Sequence, residues 1–368
     1  IGSPTHRQLA REAATASSVL LGNDGILPLQ ADGALKITVL GELAETVNLG
    51  DEGSSNVRFT PDPITPIEGL RERFKDATIT FSADEASTAE GADLVVVVVG
   101  YTRHDEGEYV GAGMNETLQA LMPPAHDPVL GFSDPSMGEQ FGELFRNSSG
   151  VGGGQSPSGG DRKSLRLPAH HEALIEDARR YNDRIVVVVI SGSAVVCPWL
   201  DSSAATLLLF YAGSEAGRAL GDILSGEAEP GGRLPFTLPV HEDDLVPFER
   251  EATTARYGLL HGQWKLDAEG VPAHRPYGYG LGYTSFEITH AEERPGGIRV
   301  EVANTGSRPG STVVQVYGSV PESDYPRAPK RLVGFQKVEL DTGEKTTLEI
   351  PVDDRMLDLR VDGAWLRE

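Results

Sequence analysis

The sequence predicts an α/β protein: a doubly wound, mostly parallel sheet with helices on both faces, followed by a smaller all-β domain. Three observations predict it. Leu94 to Val99 is six consecutive Leu and Val residues without alternation, which means burial on both faces, as parallel strands between two helical layers require. From Ile1 to about Pro239, apolar β-branched runs take turns with helix-period stretches, as βαβ units do. After Phe286 the runs become short and alternating, separated by Gly, Pro, Asn and Asp, which is the pattern of a sandwich. A chain of 368 residues also exceeds one ordinary core, at about 100–200 residues per domain.

Each element has its own signal. His6 to Leu21 reads as a first helix with Leu9, Ala13, Ala14, Ser17, Val19 and Leu20 on one face, broken by Asn23-Asp24-Gly25. Lys36 to Leu40 is a short buried strand, Pro66 to Phe74 a helix, and Ala77 to Phe81 a second strand before the central Leu94 to Val99. Pro168 to Tyr181 reads as a helix, with His170-His171 at its exposed start, then Arg184 to Ile190 and Thr206 to Tyr211 as strands. Ser214 to Leu224 is an amphipathic helix with Ser214 as N-cap and Gly226 as stop.

Between Val110 and Asp161 the pattern fails, with Pro123-Pro124, Asp134-Pro135 and the tract from Ser148 to Gly154. Such a long insertion, at about 112–160, is expected to be a functional lid or mobile filler. The α/β domain is thus placed at 1–240, an irregular connector at 241–283, and the β domain at 284–368. In the connector, Phe248, Tyr257, His261 and Trp264 are expected to line a ligand subsite or a subunit contact, or to pack the two domains together. The last segment, with strands at Arg299–Ala303, Thr312–Ser319, Arg331–Val338 and Lys345–Val352, is a sandwich of immunoglobulin or fibronectin type III kind. Its length falls short of the roughly 100 residues of a whole sandwich, so it is read as truncated, the last strands missing.

Composition excludes several classes. Lys plus Arg is 32 against 55 for Asp plus Glu, a formal charge of -23, and such a surface repels phosphate backbones and anionic lipid headgroups. Neither nucleic acid nor membrane is expected as a partner. The expectation is a soluble protein, cytoplasmic in preference to secreted. Cys197 is alone, and the nine histidines never fall into HExxH or HxxxH spacing, so neither a disulfide framework nor a metal site is expected. No GxSxG elbow and no GxGxxG after the first strand occur, which removes triad hydrolase and dinucleotide chemistry.

The carboxylates after the central strand are the sharpest chemical feature. Leu94 to Val99 leads to Gly100, and the next turn holds Asp105, Glu106 and Glu108, with His104 and Tyr109 beside them. Ligands of open α/β sheets bind outside the carboxyl ends of the strands, and like charges crowded in one loop push one carboxyl towards its protonated form. A merely solvated acidic turn is the competing reading. The loop after the first strand, Gly50 to Asn56, offers Asp51, Ser54 and Ser55 as hydroxyl-binding groups. Gly159 to Lys163 closes the insertion; there Asp161 is a brace for the acidic loop and Arg162 a partner for a nearby carboxylate.

Taken in order, these segments resemble the C-terminal half of family 3 glycoside hydrolases. The residues that carry the resemblance are Ala13 to Leu29, Leu94 to Gly111 (LVVVVVGYTRHDEGEYVG), Gly160 to Leu167 (GDRKSLRL), Val186 to Leu200, Ala212 to Pro239 and Tyr277 to Phe286. The resemblance implies an α/β sandwich followed by a fibronectin type III-like domain, both preceded in the family by a (β/α)8 barrel. It further implies retaining, exo-acting hydrolysis of β-glucosides or short β-linked oligosaccharides, by two carboxyl groups and no cofactor. The acid/base glutamate would be Glu106, or Glu108 as the alternative, with Asp51, Ser54, Ser55, His104 and Tyr109 near the sugar. The aspartate nucleophile would come from a barrel on another segment or chain. β-Xylosidases and N-acetylglucosaminidases share this architecture, a non-catalytic carbohydrate-binding or scaffold module is the alternative from another class, and a homo-oligomer is compatible with either.

Overall fold

The computed structural model describes residues 2–29, 34–50, 62–106, 162, 164–247 and 252–367. The predicted insertion at about 112–160 falls wholly outside them. A six-stranded sheet organises the first domain: β1 (Val19–Asn23), β2 (Lys36–Leu40), β3 (Thr78–Ser82), β4 (Leu94–Gly100), β5 (Ile185–Ile190) and β6 (Ala205–Leu208). Their order is β1-β6-β5-β4-β2-β3. All neighbours are parallel except β1, which runs antiparallel to β6.

Every residue of β4 and β5 is buried, and their alternate side chains feed two separate cores. Val95, Val97, Val99, Val187 and Val189 join one with Leu174, Ile175, Trp199 and Leu200. Leu94, Val96, Val98, Val186 and Val188 join the other with Ile67, Leu70, Leu220, Ile223 and Leu224. This is why the two strands read as unbroken apolar runs. The helices over the first core include α4 (Ala169–Ala178), and over the second lie α2 (Pro66–Arg73) and α5 (Ala216–Ser225). A four-residue helix, α3 (Arg103–Glu106), follows β4, and α6 (Gln263–Glu269) lies in the connector.

Four expectations need correction. The first helix, α1 (Pro4–Ser17), stops short of Leu21, because the Ser17 and Ser18 hydroxyls turn back to the Ala14 carbonyl at 3.2 and 2.8 Å and Val19, Leu20 and Leu21 enter the sheet. The strand expected to reach Tyr211 ends at Leu208, and Phe210 takes a left-handed φ of 57°. Ser214 is not the N-cap: a short 3-10 turn over Gly213–Glu215 precedes α5, which does end on left-handed Gly226. His171, expected at an exposed helix start, is 3% exposed.

α1 is fastened to α5 by charge. Glu215, 1% exposed, takes Arg7 Nε at 2.5 Å on one oxygen and Arg218 Nη1 at 2.9 Å on the other. Replacing Glu215 by Ala should lower unfolding free energy by about 2 kcal/mol, less than for a fully buried pair because both guanidinium groups keep some solvent. Urea unfolding followed by circular dichroism measures it.

The second domain places β7 (Phe286–Arg294), β8 (Gly297–Asn304) and β11 (Lys345–Pro351) in one antiparallel sheet, facing a ribbon of β9 (Gly310–Gly318) and β10 (Arg331–Leu340). A hairpin of β12 (Leu359–Val361) and β13 (Ala364–Leu366) follows. Val300, Val302, Val314, Leu340, Leu348 and Ile350 fill the space between the sheets. Glu229 ties the domains together, accepting the Tyr283 and Ser311 N–H groups at 2.7 Å each. Trp264, in α6, is half-buried beneath the Arg331 guanidinium of β10, 4.6 Å from the ring centre. It packs connector against β domain, and the ligand-subsite reading of Trp264 is dropped. Phe248 lies outside the described residues. Among the described residues no helix is long and apolar enough to cross a membrane.

Candidate active site

The chain leaves β2 towards β3 on one side and then places β4 on the other, so the carboxyl ends of β2 and β4 border the topological switch point, where open α/β sheets bind ligands. β4 ends at Gly100 with φ 146°, and an added Cβ there would overlap the Ile190 carbonyl of β5, so only glycine fits. Thr102 and Asp105 then start α3, the Asp105 carboxylate accepting the Thr102 N–H at 2.9 Å. That turn carries Glu106 back over the end of β5.

Among the described residues, three donors meet the Glu106 carboxylate. Arg162 Nε lies 3.0 Å from Oε1. The Gly192 N–H, just past β5, donates to Oε2 at 3.0 Å, and the Tyr211 hydroxyl, just past β6, donates to the same oxygen. The Glu106 and Arg162 side chains are 12% and 9% exposed, so neither charge could be sheltered this far without the other. Arg162 is itself held: Nη2 donates to the Ser193 hydroxyl and to the Ala194 carbonyl, and the guanidinium stacks 4.2 Å from the Tyr101 ring centre. Its Nη1 is buried with no hydrogen-bond partner among the described residues.

The surrounding phenols stay protonated. Burial pushes Tyr101 up to about 12, against the Arg162 charge, and its hydroxyl donates to the Arg166 carbonyl at 2.5 Å. Burial, reinforced by the hydrogen bond to Glu106, also raises Tyr211, so Tyr211 acts as a donor to the carboxylate. The Cys197 thiol is buried and pushed up to about 12 by that burial; it is a core side chain, not a nucleophile. Asn48, after β2, donates to the Tyr101 carbonyl at 2.8 Å. Four neighbouring strands thus contribute to one edge that presents a fixed carboxyl group.

The family model of the glycosyl hydrolase family 3 C-terminal domain matches residues 18–284. The chain belongs to glycoside hydrolase family 3. A fibronectin type III-like domain model matches residues 312–365. Among curated relatives, thermostable beta-glucosidase B of Acetivibrio thermocellus is 30% identical over 95% of this chain and 43% of the relative. Beta-glucosidase BoGH3A of Bacteroides ovatus is 28% identical over 100% and 49%, and an exo-alpha-(1->6)-L-arabinopyranosidase of Bifidobacterium breve is 30% identical over 95% and 44%. The family 3 chain therefore spans about half the length of these relatives. The crystal structure of the beta-D-glucoside glucohydrolase from Trichoderma reesei shares its fold, with a TM-score of 0.76 at 23% identity over 98% of this chain and 52% of that one.

Of the site residues expected from sequence, Glu106 and Arg162 meet as an ion pair. His104 lies exposed in α3, its N–H donating to the Thr102 hydroxyl at 3.2 Å. Asp51, Ser54, Ser55, Glu108, Tyr109 and Asp161 lie outside the described residues. Sequence reasoning missed Tyr211, Gly192 and Asn48. A search for polar residues one to eight positions past each parallel strand finds Tyr211 and Asn48 but not Gly192, which contributes only its backbone N–H.

Proposed function

We propose that this chain supplies the acid/base half of a retaining, exo-acting β-glucosidase of family 3. Glu106 is the proton donor and acceptor, and the aspartate nucleophile comes from a (β/α)8 barrel outside this chain. The observation that carries the reading is the Glu106 carboxyl itself, held past the carboxyl ends of β5 and β6 by Arg162, Gly192 and Tyr211. Among the described residues Oε2 accepts two bonds and Oε1 one, and an ionised carboxyl has about four acceptor positions. The position left on Oε1 is where the transferable proton sits. In the first step that proton passes to the glycosidic oxygen as its bond to the anomeric carbon breaks and the aspartate bonds to that carbon. In the second, Glu106 takes a proton from the water that displaces the aspartate. Arg162 and Tyr211 fix the carboxyl without exchanging protons; Asp51, Ser54, Ser55, His104 and Tyr109 are assigned to the sugar hydroxyls, Asp161 to bracing the loop, and Glu108 is the alternative acid/base.

Replacing Tyr211 by Phe removes one of the two donors on Oε2. In the barrel-containing enzyme kcat should fall about tenfold with KM little changed, as for loss of a hydrogen bond to a charged group. A second reading concerns the sugar. The arabinopyranosidase relatives are as similar as the beta-glucosidases, so α-L-arabinopyranosides are the competing substrates. The barrel-containing protein, assayed on aryl β-glucosides and aryl α-L-arabinopyranosides, should turn over the glucoside faster. Inactivity on every aryl glycoside would replace the enzyme reading with that of a non-catalytic carbohydrate-binding module.

A further inference from the structure

We propose that His171 is a positioning residue for the Glu106 loop: from α4 it holds the last N–H of β4, and it can do so only as one neutral tautomer, so the loop is released when the ring takes up a second proton. The pinning is a property of this chain alone; its catalytic consequence rests on the glucosidase reading above.

β4 outruns its neighbour. Leu40, the last residue of β2, pairs with Val97, so on that side Gly100 has no strand beside it, while on the other Tyr101 N–H reaches the Ile190 carbonyl at 2.8 Å. A buried backbone N–H needs an acceptor. His171 Nδ1 provides it at 3.3 Å. Because a backbone amide can only donate, Nδ1 is unprotonated and the neutral ring carries its hydrogen on Nε2.

That tautomer decides a second question. Glu42, His170 and His171 bring their ligand atoms within 4.8 Å of one another, a spacing that would suit a metal ion. Yet an Nε2 that carries hydrogen has no lone pair to give. Nε2 is instead a buried donor without a hydrogen-bond partner among the described residues, 3.6 Å from the carboxylate of Glu42, which follows β2. The cluster is a histidine locked in orientation, not a ligand set.

A second proton would have to go on Nδ1, where it faces the Gly100 N–H and breaks that bond. The charged groups around the ring are Glu42 past β2, His170 on its own helix and Asp105 in α3. Burial and His170 oppose the charge, Glu42 and Asp105 favour it, and burial is largest, so His171 titrates below ordinary histidine. With the folded value depressed, the folded state binds fewer protons than the unfolded one. The pinned loop is therefore fully stabilised above about pH 6.5 and loses that stabilisation as pH falls.

The test is amide hydrogen exchange on this 368-residue chain, corrected for intrinsic rates, in wild type, His171→Leu and His171→Asn. Asparagine keeps an acceptor in place of Nδ1 but does not titrate. At neutral pH the Leu variant should lose about tenfold of the Gly100 protection, as when a buried donor loses its partner, and the Asn variant should keep it. Towards about pH 5, below the ordinary histidine value, wild type should lose protection at Gly100 and Tyr101 while the Asn variant holds. Unchanged Gly100 protection in the Leu variant would overturn the proposal. If the Leu variant does not fold, wild-type and Asn curves that coincide at every pH would overturn it. In the barrel-containing enzyme, loss of pinning should lower kcat with KM unchanged. Lost protection with full kcat would uphold the pinning and count against Glu106 as the working carboxyl.

Discussion

In the barrel-containing enzyme, Glu106→Ala should lower kcat on cellobiose by about 10²–10⁴-fold, the usual contribution of a general acid/base. A substrate with a good leaving group, such as dinitrophenyl β-glucoside, needs no proton at its departing oxygen, so its first step should be nearly unaffected and the covalent glucosyl-enzyme should accumulate. Azide, small enough to enter the space left by the carboxyl, should then restore turnover and give β-glucosyl azide. A residue that only braces the site has no such signature. Glu108→Ala is the matched control and should show neither effect. If the two results are exchanged, the acid/base is Glu108, and Glu106 with its three donors is the anchor of the loop.

The second large effect is on folding. α2 and α5 touch backbone to backbone over the second core: an added Cβ on Gly69 would overlap the Gly217 carbonyl, and one on Gly217 would overlap the Thr65 carbonyl. Gly217→Val should therefore destabilise the α/β domain by about 3 kcal/mol or more, since the helices must separate and leave Ile67, Leu70 and Leu220 underpacked. Gly258→Ala is the control, with nothing within 4 Å of the new methyl, and should stay within about 0.5 kcal/mol of wild type. Chemical unfolding of the three proteins reads both values.

The contrast between elements explains what sequence could reveal. β4 and β5 are buried on both faces along their whole length, so their composition declares them. Val19 to Leu21 suit a helix face as well as a strand, and the serine hydroxyls that end α1 decide between them. The acidic turn was legible because it follows the most recognisable strand. Of the partners of Glu106, Arg162 is expected from sequence as the partner of a nearby carboxylate, and the others are not. Gly192 contributes only a backbone N–H, which no residue type advertises, and Tyr211 depends on the left-handed φ of Phe210, which turns the chain one residue before it. His171 was misread because its neighbour His170, in the same helix turn, is exposed with a side-chain value of 64%, and sequence alone does not separate two adjacent histidines. Arg162 follows a long segment without periodicity, so sequence yields its pairing with a nearby carboxylate, and the tertiary structure names that carboxylate as Glu106.

The most direct test is the separation of two carboxyl groups. In a crystal structure of the barrel-containing protein trapped as its 2-fluoroglucosyl intermediate, one barrel aspartate should be bonded to the anomeric carbon. The Glu106 carboxyl should lie about 5–5.5 Å from that aspartate, the spacing of retaining glycosidases. A Glu106 carboxyl well beyond that distance, with another carboxyl in its place, would contradict the account.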